Sequence, residues 1–295
     1  MRLLTEVDGT TRVVGVIGWP VRHSLSPPMQ NAALEALGLN WIYVPFEVAP
    51  EQIPQALEGL RALNLVGLNV TVPHKEAVAR LVDERSGAAQ VLGAVNTIVN
   101  REGVLHGHNT DGEGFLRSLR EAGEEVRDRR VTFIGAGGAA RSVAYAVASA
   151  GAAAVTVVNR TPARARDVAE LVSRNTPVQA SVAALDSPEA KQAVRDAQVI
   201  IDCTPCGMFP HVDDAPAIPP EWLHEGQCVC DLVYTPRDTV LLKAARQAGA
   251  RTVEGVGMLV HQGAIALELW TGQAAPVEVM RAALVQALEV REAVR

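Results

Sequence analysis

Hydrophobic and polar positions change their period repeatedly along the chain, and this pattern predicts strands followed by helices. In the first third, apolar residues alternate with polar ones in short runs that are typical of half-buried strands. Three such runs are VVGVIG (13–18), NWIYVPF (40–46) and LVGLNVTV (65–72). Helical spacing follows each run: from Pro27 and Pro28 to Gly38, in 50–63, and in HKEAVARLVDE (74–84), where Val78, Leu81 and Val82 share a face. AVNTIV and VLHGHN, separated by NREG, predict a hairpin before the helical DGEGFLRSLREAG (111–123).

A second strand–helix series begins at Val131, after the charged connector EEVRDRR. Its predicted strands are VTFIG, AAVTVVN, QVIID and CVCDLVY, and its first helix is rich in small residues (135–151). Two helices (258–272 and 277–293) follow the last strand. Alternating strands and helices favour largely parallel sheets, so we predict two α/β domains. One is expected to comprise residues 1–110 with 256–295 and the other residues 111–255, so that the C-terminal helices return to the first domain.

Charge and composition narrow the possible partners. The chain has 295 residues, 48% of them hydrophobic, and a net charge of -6 with scattered Lys and Arg. No basic cluster suggests nucleic acid, and no apolar run approaches the roughly 18 residues of a membrane helix. The N-terminal MRLLTEVDGTTR has no apolar signal core. We therefore expect a cytoplasmic protein. We further expect a monomer or a homodimer that has a small molecule as its partner.

Cysteine spacing allows a zinc site, but the surrounding sequence favours buried cysteines instead. Cys203 with Cys206 and Cys228 with Cys230 have spacings found in zinc sites, but Cys203, Cys228 and Cys230 fall in or at the end of apolar strand-like runs. Ordinary buried cysteines are the better interpretation. The histidines show no H-E-x-x-H spacing, and His74 is expected to face solvent. There is no G-x-S-x-G motif of a hydrolase.

VTFIGAGGAAR (131–141) predicts a dinucleotide site because a strand, a glycine turn and a helix follow one another. Gly135, Gly137 and Ala140 fit G-x-G-x-x-A, in which the turn lets a pyrophosphate approach the helix N-terminus. After the next strand the chain reads NRTPARAR, without the carboxylate that an NAD site usually carries. Arg160 and Arg164 suit the 2′-phosphate of NADP. Thr161 and Pro162 also predict an ordinary helix start there.

Polar residues in the first domain collect where predicted strands end. They are Asn69, Thr71, Lys75, Asn96 and Asp111. Ligands bind at the carboxyl ends of strands in open α/β sheets. Lys75 is unusual because the first turn of a helix disfavours a cation. In HSLSP, Ser26 before Pro27 predicts an N-cap, whereas Ser24 has no such local explanation, and two hydroxyls there would suit a carboxylate.

Several blocks in this order resemble the shikimate dehydrogenase family over nearly the whole chain. They are GWPVRHSLSPPMQN (18–31), GLNVTVPHK (67–75), GAVNT (93–97), GHNTDGEGF (107–115), GAGGAAR (135–141), NRT (159–161), DLVYTP (231–236) and GMLVHQGA (257–264). The resemblance implies NADPH-dependent, reversible reduction of 3-dehydroshikimate to shikimate, a step of aromatic amino acid biosynthesis. It also implies that residues 1–110 with 256–295 form the substrate-binding domain and that residues 111–255 form an NADP-binding domain of the Rossmann type.

The resemblance also assigns roles to residues of this chain. Lys75 matches the catalytic lysine, and Asp111 a carboxylate that orients it. Substrate contacts are implied for Ser24, Ser26, Thr71, Asn96, Asp111, Tyr234 and Gln262. Cofactor contacts are implied for Gly135, Ala136, Gly137, Gly138, Ala139, Asn159, Arg160, Thr161, Arg164, Leu232 and Gly255. In this scheme Lys75 donates a proton as hydride reaches the ketone, and acts as base in reverse.

Three departures and three alternatives remain. Gln30, Cys203 and Leu267 stand where the family usually has other residues, none of them among the assigned contacts. A quinate-accepting, NAD-preferring relative would be expected to carry an acidic residue near Arg160. A non-catalytic sensor of shikimate or quinate would be expected to lack the lysine or the glycine turn, and a methylenetetrahydrofolate dehydrogenase would not need HSLSP.

Overall fold

The protein consists of two compact α/β units, each with its own sheet. In the computed structural model, residues 7–293 are described, so the first half of MRLLTEVDGTTR lies outside the described residues. One unit is formed by the chain up to Thr110 together with the segment from Val260 onwards, and the other by Asp111–Leu259. The tasks that the sequence assigns to the two parts, substrate binding and nucleotide binding, stay predictions.

The first unit is built on a mixed sheet. Its strands are β1 (Arg12–Gly18), β2 (Trp41–Glu47), β3 (Gly67–Val70), β4 (Glu84–Arg85), β5 (Thr97–Arg101) and β6 (Val104–His108). They lie in the order β2-β1-β3-β5-β6-β4. β1 is parallel to both β2 and β3, whereas β5 runs antiparallel to β3 and to β6. The predicted hairpin is thereby confirmed, and the start of β5 lies at the same edge as the end of β3.

Four helices accompany this sheet: α1 (Ser26–Ala36), α2 (Ile53–Ala62), α3 (Lys75–Leu81) and α4 (Gly87–Leu92). The predicted end of α1 is confirmed, because Gly38 adopts φ +66° just after it. The predicted apolar face of α3 is partly wrong. Val78 and Val82 are buried as expected, but Leu81 is 41% exposed, and Ala79 takes the inward position.

The second unit contains a fully parallel sheet. After α5 (Asp111–Glu121), its strands are β7 (Arg130–Ile134), β8 (Ala154–Asn159), β9 (Ala180–Ala184), β10 (Val199–Asp202), β11 (Cys228–Asp231) and β12 (Arg251–Val253). The helices between them are α6 (Gly138–Ser149), α7 (Pro162–Asn175), α8 (Pro188–Asp196) and α9 (Val240–Gln247). The order β9-β8-β7-β10-β11-β12 is that of a Rossmann fold, with its reversal between β7 and β10.

The connector before β7 contains a buried charge. Glu124 is only 3% exposed, and one of its carboxylate oxygens lies 2.6 Å from a guanidinium nitrogen of Arg129. Arg251, at the start of β12, pairs with the other oxygen. Two cations therefore compensate the cost of burying one carboxylate, and they tie the connector to the last strand of the sheet.

Two long helices complete the chain, α10 (Gly255–Thr271) and α11 (Val277–Ala293). The border between the two units falls within α10, and α11 packs against α1 of the first unit. The C-terminal segment therefore returns to the first unit, as predicted. From residue 7 to residue 293, the structure has no helix with both the length and the apolar character needed to cross a membrane.

Candidate active site

One edge of the first sheet gathers most of the polar residues that the sequence singles out. β1 ends at Gly18 and β3 at Val70, and the segments beyond them stay together: the Thr71 N–H donates to Ile17 O at 2.9 Å, and the Trp19 N–H to Val72 O at 3.2 Å. The antiparallel β5 begins at this edge, because the Val70 N–H donates to Asn96 O at 2.8 Å.

Lys75 is the first residue of α3, at the same edge. The N-cap is His74, which provides no side-chain capping bond. The Lys75 carbonyl accepts the Val95 N–H at 3.0 Å, next to Asn96. The structure therefore brings the lysine backbone to the segment that carries Asn96, and the predicted position of Lys75 in the first helical turn is confirmed.

The Asn96 side chain is held in place by two hydrogen bonds to Thr110. The Asn96 amide nitrogen donates to Thr110 Oγ1 at 2.9 Å, and the Thr110 N–H donates back to Asn96 Oδ1 at 2.9 Å. The Thr110 hydroxyl then reaches the main-chain carbonyl of Gln262 in α10 at 3.0 Å. Thr71, Lys75, Asn96 and Gln262 are thus all positioned by segments that meet within the first unit.

The two serines of HSLSP do not have the local roles that the sequence suggests. Ser26 was predicted to be an N-cap, but the N-cap of α1 is Leu25, and Ser26 is already the first helical residue. The Ser24 hydroxyl instead accepts the Ser26 N–H at 3.2 Å. Ser24 therefore supports the helix start, because the chain enters α1 one residue earlier than the Ser-Pro pattern predicts.

His74 is buried, which corrects the expectation that it faces solvent. It is 1% exposed, and its Nε2 lies 2.8 Å from the Val48 carbonyl. A carbonyl accepts, so this ring nitrogen carries the proton. The side chain fastens the loop before α3 to the segment after β2, and its polarity alone was a poor guide to its exposure.

In the second unit, the glycine turn has the form expected of a nucleotide site. Gly135 follows β7 with φ +96°, and a Cβ there would lie 3.1 Å from Thr204 Cγ2, just beyond β10. Gly137 is the N-cap of α6, and no atom lies within 4 Å of a Cβ built at Gly137 or Gly138. The turn is therefore close-packed at Gly135, where the strand order reverses between β7 and β10, and it is open at the N-terminus of α6. This combination lets a pyrophosphate approach backbone N–H groups.

The residues beyond β8 leave positive charge at the surface. Asn159 donates to Thr161 O at 2.9 Å, which shapes the turn, and Thr161 is the N-cap of α7 without a side-chain capping bond. Arg160 and Arg164 are both exposed. Within residues 7–293, neither of these arginines takes part in a recorded ion pair.

Two buried aspartates hold the ends of β10 and β11, which the sequence analysis did not single out. Asp202 and Asp231 lie opposite each other in register. Asp231 accepts the Val233 N–H at 2.9 Å and the Thr239 hydroxyl at 2.7 Å, and thereby orders the segment of Leu232 and Tyr234. Burial, with the Asp231 carboxylate as a second cause, raises the pKa of Asp202 to about 7.

The remaining predicted residues have simple placements. Asp111 is the buried first residue of α5, and Tyr234 is half-buried beyond β11. Gly255 begins α10 in a place where a Cβ would lie 2.5 Å from Leu232 O, so that only glycine fits.

Cys228 and Cys230 are buried with their sulfurs 3.9 Å apart, which confirms their interpretation as core residues. No metal-binding group of three His, Cys, Asp or Glu occurs in the described part of the chain.

Sequence reasoning missed Tyr43, Thr97 and Thr110, which are buried around Asn69 and Asn96. A signal was present for Tyr43, because it alternates inward with Trp41 in a strand, and a buried phenol needs a polar partner. Asn69 inside an apolar strand was the matching signal.

The Rossmann-type sheet with its open glycine turn, together with a second α/β unit that carries a lysine and amides at one end of its sheet, is an arrangement typical of two-domain nucleotide-dependent oxidoreductases. Family models agree in detail. The shikimate dehydrogenase substrate binding domain matches residues 16–98, shikimate / quinate 5-dehydrogenase matches 118–208, and the shikimate 5'-dehydrogenase C-terminal domain matches 255–285. The chain belongs to the shikimate dehydrogenase family.

Individual relatives are similar over almost their whole length. The shikimate dehydrogenase (NADP(+)) of Methanopyrus kandleri is 49% identical over 98% of this chain and 100% of its own. A shikimate dehydrogenase crystallised with NADP+ superposes with a TM-score of 0.91 at 39% identity, covering 96% of this chain and 98% of that one. The Listeria monocytogenes enzyme, solved with shikimate and NAD, gives 0.90 at 36% identity, covering 94% and 98%.

Proposed function

We propose that this protein is a shikimate dehydrogenase, which reduces 3-dehydroshikimate reversibly to shikimate with NADPH, in the biosynthesis of chorismate and aromatic amino acids. The observation that carries the proposal is the position of Lys75, the first residue of α3, at an edge where Asn96, Thr71 and Gln262 are held together. Hydroxyl and amide groups of this kind recognise a polyhydroxylated ring, and the lysine supplies the proton that a carbonyl reduction needs.

Lys75 acts in this proposal as the acid–base group. Reduction places charge on the carbonyl oxygen, and an ammonium group donates a proton there; in the reverse direction the neutral amine accepts it. Asp111, assigned to orient the lysine, begins a helix of the second unit, and its role stays a prediction from the sequence.

The substrate carboxylate is assigned to Ser24 and Ser26. Both are half-buried at the start of α1, where Pro27 and Pro28 have no N–H, so the donors that this region offers to an anion are the two hydroxyls. Ring oxygens are assigned to Thr71, Asn96 and Gln262, and Tyr234 of the second unit is assigned to the neighbourhood of the substrate and nicotinamide. This assignment is supported by the buried hydrogen bonds that Thr110 makes to the Asn96 side chain and to the Gln262 carbonyl within the first unit.

The second unit fits NADP. The open positions at Gly137 and Gly138 suit a pyrophosphate, and the exposed Arg160 and Arg164 suit a 2′-phosphate; Ala136, Ala139, Asn159, Thr161, Leu232 and Gly255 complete the proposed contacts. When bound, the nicotinamide supplies or takes up the hydride. The chain itself contributes orientation, charge and the proton.

A direct assay tests the proposal. Purified protein is incubated with shikimate or quinate and with NADP or NAD, and the absorbance of the reduced nicotinamide is followed. Reduction of NADP with shikimate, faster than any other combination, is the expected result. A preference for quinate and NAD would assign the protein to the quinate-oxidising relatives, and no turnover with any pair would favour a sensor.

Assembly and location belong to the same proposal. We expect a cytoplasmic monomer or homodimer that takes only small molecules as partners and does not bind nucleic acid. Size-exclusion chromatography with light scattering at micromolar concentration would distinguish the two assembly states.

A further inference from the structure

Asp202 and Asp231 occupy equivalent positions in the second unit, and the proposed mechanism leaves both without a role. Asp202 is the last residue of β10 and Asp231 the last residue of β11, and the two lie opposite each other in the parallel register. Each is only 1% exposed. Burying a carboxyl group costs free energy, so the hydrogen bonds that these two groups form indicate what they hold in place.

Each aspartate forms the same turn just after its strand. The Asp202 carboxyl group accepts the Thr204 N–H at 2.7 Å, and Asp231 Oδ1 accepts the Val233 N–H at 2.9 Å. In both turns the donor lies two residues further along the chain, where the backbone leaves the sheet and needs a new partner. The two side chains therefore fix the direction in which the chain continues beyond β10 and β11.

Main-chain hydrogen bonds connect the same strand ends to one another. The Cys203 N–H donates to Ile134 O, at the end of β7, at 2.8 Å, and the Leu232 N–H donates to Asp202 O at 3.0 Å. The ends of β7, β10 and β11 thus form one connected edge, and the aspartate side chains act at the first positions beyond it.

The two segments beyond this edge pack against glycines assigned to the cofactor. A Cβ at Gly135 would lie 3.1 Å from Thr204 Cγ2, and a Cβ at Gly255 would lie 2.6 Å from Val233 O. The residues that the aspartates hold are therefore direct neighbours of the glycine turn and of the start of α10. A displacement of either segment would change the shape of the proposed cofactor site.

Asp231 needs both of its oxygens. Its second oxygen, Oδ2, accepts the Thr239 hydroxyl at 2.7 Å, and Thr239 Oγ1 caps α9 by accepting the Leu242 N–H at 3.3 Å. Burial raises the pKa of Asp231, and the hydrogen bonds from Thr239 and Val233 oppose this rise. One carboxylate therefore holds both ends of the loop between β11 and α9, the loop that contains Tyr234.

Asp202 needs only one accepting oxygen. Burial, with the Asp231 carboxylate as a second cause, raises the pKa of Asp202 to about 7, so that below this pH the group is mostly protonated. A protonated carboxyl group and an asparagine amide have similar shapes, and each keeps an oxygen that can accept the Thr204 N–H. An amide can therefore replace Asp202, whereas it cannot supply both of the acceptors that Asp231 provides.

The position of the two strands indicates which part of the cofactor is concerned. A Rossmann sheet consists of two halves, each of which binds one mononucleotide. The half formed by β7, β8 and β9 carries Arg160 and Arg164, the proposed partners of the 2′-phosphate on the adenosine side. The half formed by β10, β11 and β12 is left for the nicotinamide mononucleotide.

We infer that Asp202 and Asp231 are positioning residues that hold the segments after β10 and β11 in place for the nicotinamide half of NADP. They act through Thr204 and Val233 and do not touch the cofactor themselves. The inference rests on the proposed function, because it takes NADP as the cofactor.

Two probes that share the adenosine half separate this role from a general effect on the unit. Calorimetry measures the binding of NADP and of adenosine 2′,5′-bisphosphate, which carries the 2′-phosphate but has no nicotinamide. In Asp202→Ala and Asp231→Ala we expect the Kd for NADP to rise about three- to tenfold and the Kd for the bisphosphate to change by less than about twofold. Arg160→Ala is the reference variant, and it should weaken the binding of both probes.

Conservative variants test the number of acceptors. Asp202→Asn should restore most of the NADP affinity that Asp202→Ala loses, because one oxygen still accepts the Thr204 N–H. Asp231→Asn should restore only part of the loss in Asp231→Ala, because one of the two acceptors is missing.

Thr239→Val provides a further variant in case the alanine variants do not fold. It removes the hydroxyl that Asp231 accepts, so the same selective loss of NADP affinity is expected. The matched control is Thr132→Val in β7 of the same unit. Thr132 is 2% exposed and donates to the Ala193 carbonyl at 2.9 Å, so this change should lower thermal stability and leave the Kd for NADP unchanged.

The outcomes distinguish the inference from the proposed function. Losses of equal size for NADP and the bisphosphate in Asp202→Ala or Thr239→Val would overturn the inference, and so would normal NADP binding in these variants. An Asp202→Asn variant that binds NADP as weakly as Asp202→Ala would contradict it as well. A wild-type protein that binds neither probe would instead overturn the proposed function.

Discussion

The proposed substrate contacts lie at one end of the sheet in the first unit, and the proposed cofactor contacts lie at one end of the sheet in the second unit. These two regions are built on opposite principles. In the first unit, the Asn69 and Asn96 amides are buried and form hydrogen bonds with other buried side chains, those of Tyr43, Thr97 and Thr110. In the second unit, the corresponding region has an open glycine turn and two exposed arginines. A hydroxylated ring is distinguished by the orientation of donors and acceptors, which needs fixed side chains, whereas a phosphate is recognised by charge and by backbone N–H groups. The difference explains why the first edge is embedded in the core and the second is not.

Lys75→Ala should produce the largest effect and shows whether the first edge performs chemistry or only binds. We expect kcat for shikimate oxidation to fall by about 10²–10⁴-fold, the usual contribution of an acid–base group, with a smaller change in the KM for shikimate. Steady-state kinetics with saturating NADP measure both values. Lys191→Ala, an exposed lysine of α8, is the control and should behave as wild type. A near-normal kcat in Lys75→Ala would remove the lysine from the proposed role.

Arg160→Ala tests whether the second edge relies on charge. We expect the KM for NADP to rise roughly ten- to a hundredfold, as for the loss of a charge-assisted hydrogen bond, while the value for NAD changes little. Added salt should weaken NADP binding in the wild type more than in the variant, because the attraction is exposed.

The matched control is Arg166→Ala, an exposed arginine on the same helix, which should leave both cofactors unaffected. Equal losses for NADP and NAD in Arg160→Ala would mean that the arginine only supports the turn.

The second unit also contains buried polar groups, which lie within its sheet rather than at the open glycine turn. Asp202, the last residue of β10, is one of them, and Asp202→Asn tests its role. The folded-state pKa of Asp202 is about 7, so between about pH 4 and pH 7 the folded protein holds a proton that the unfolded chain has released. Wild-type stability should therefore fall as pH rises through this range, by up to about 1.4 kcal/mol per pH unit from this group. Asp202→Asn keeps an acceptor for the Thr204 N–H and should remove that contribution.

Urea denaturation at pH 5 and pH 7 measures the difference between Asp202→Asn and wild type. The exposed Asp196→Asn serves as control and should change the slope little. An identical pH dependence in wild type and Asp202→Asn would show that Asp202 is ionised throughout.

The smallest effect concerns the two serines at the first edge. Ser24→Ala should lower the free energy of unfolding by about 0.5–1.5 kcal/mol, because the Ser26 N–H loses its acceptor. Ser26→Ala should not cause this loss, and both variants should raise the KM for shikimate. Ser187→Ala, which removes the capping bond to the Ala190 N–H in α8, is the control for stability without a change in KM. If Ser24→Ala destabilises the protein but binds shikimate normally, the hydroxyl is structural only.

The sequence by itself determined the two α/β units, the hairpin and the Rossmann-type turn. Strand and helix periods are local properties, and glycine readily adopts the positive φ that the turn has at Gly135. Lys75 was identified for the same reason, because a cation in a first helical turn is unusual by local physics alone. The weaker elements, such as β9, β12, α8 and α9, were not identified, because short segments owe their structure mainly to packing.

Only the tertiary structure decided which polar side chains are buried and what they bond. His74 and Glu124 look like surface residues in the sequence, but Val48 O, Arg129 and Arg251 provide the partners that make their burial possible. The hydrogen bond from the Thr110 hydroxyl to the Gln262 carbonyl was equally out of reach. It joins residues 152 positions apart, and a hydroxyl has no fixed role as donor or acceptor until its neighbours are known.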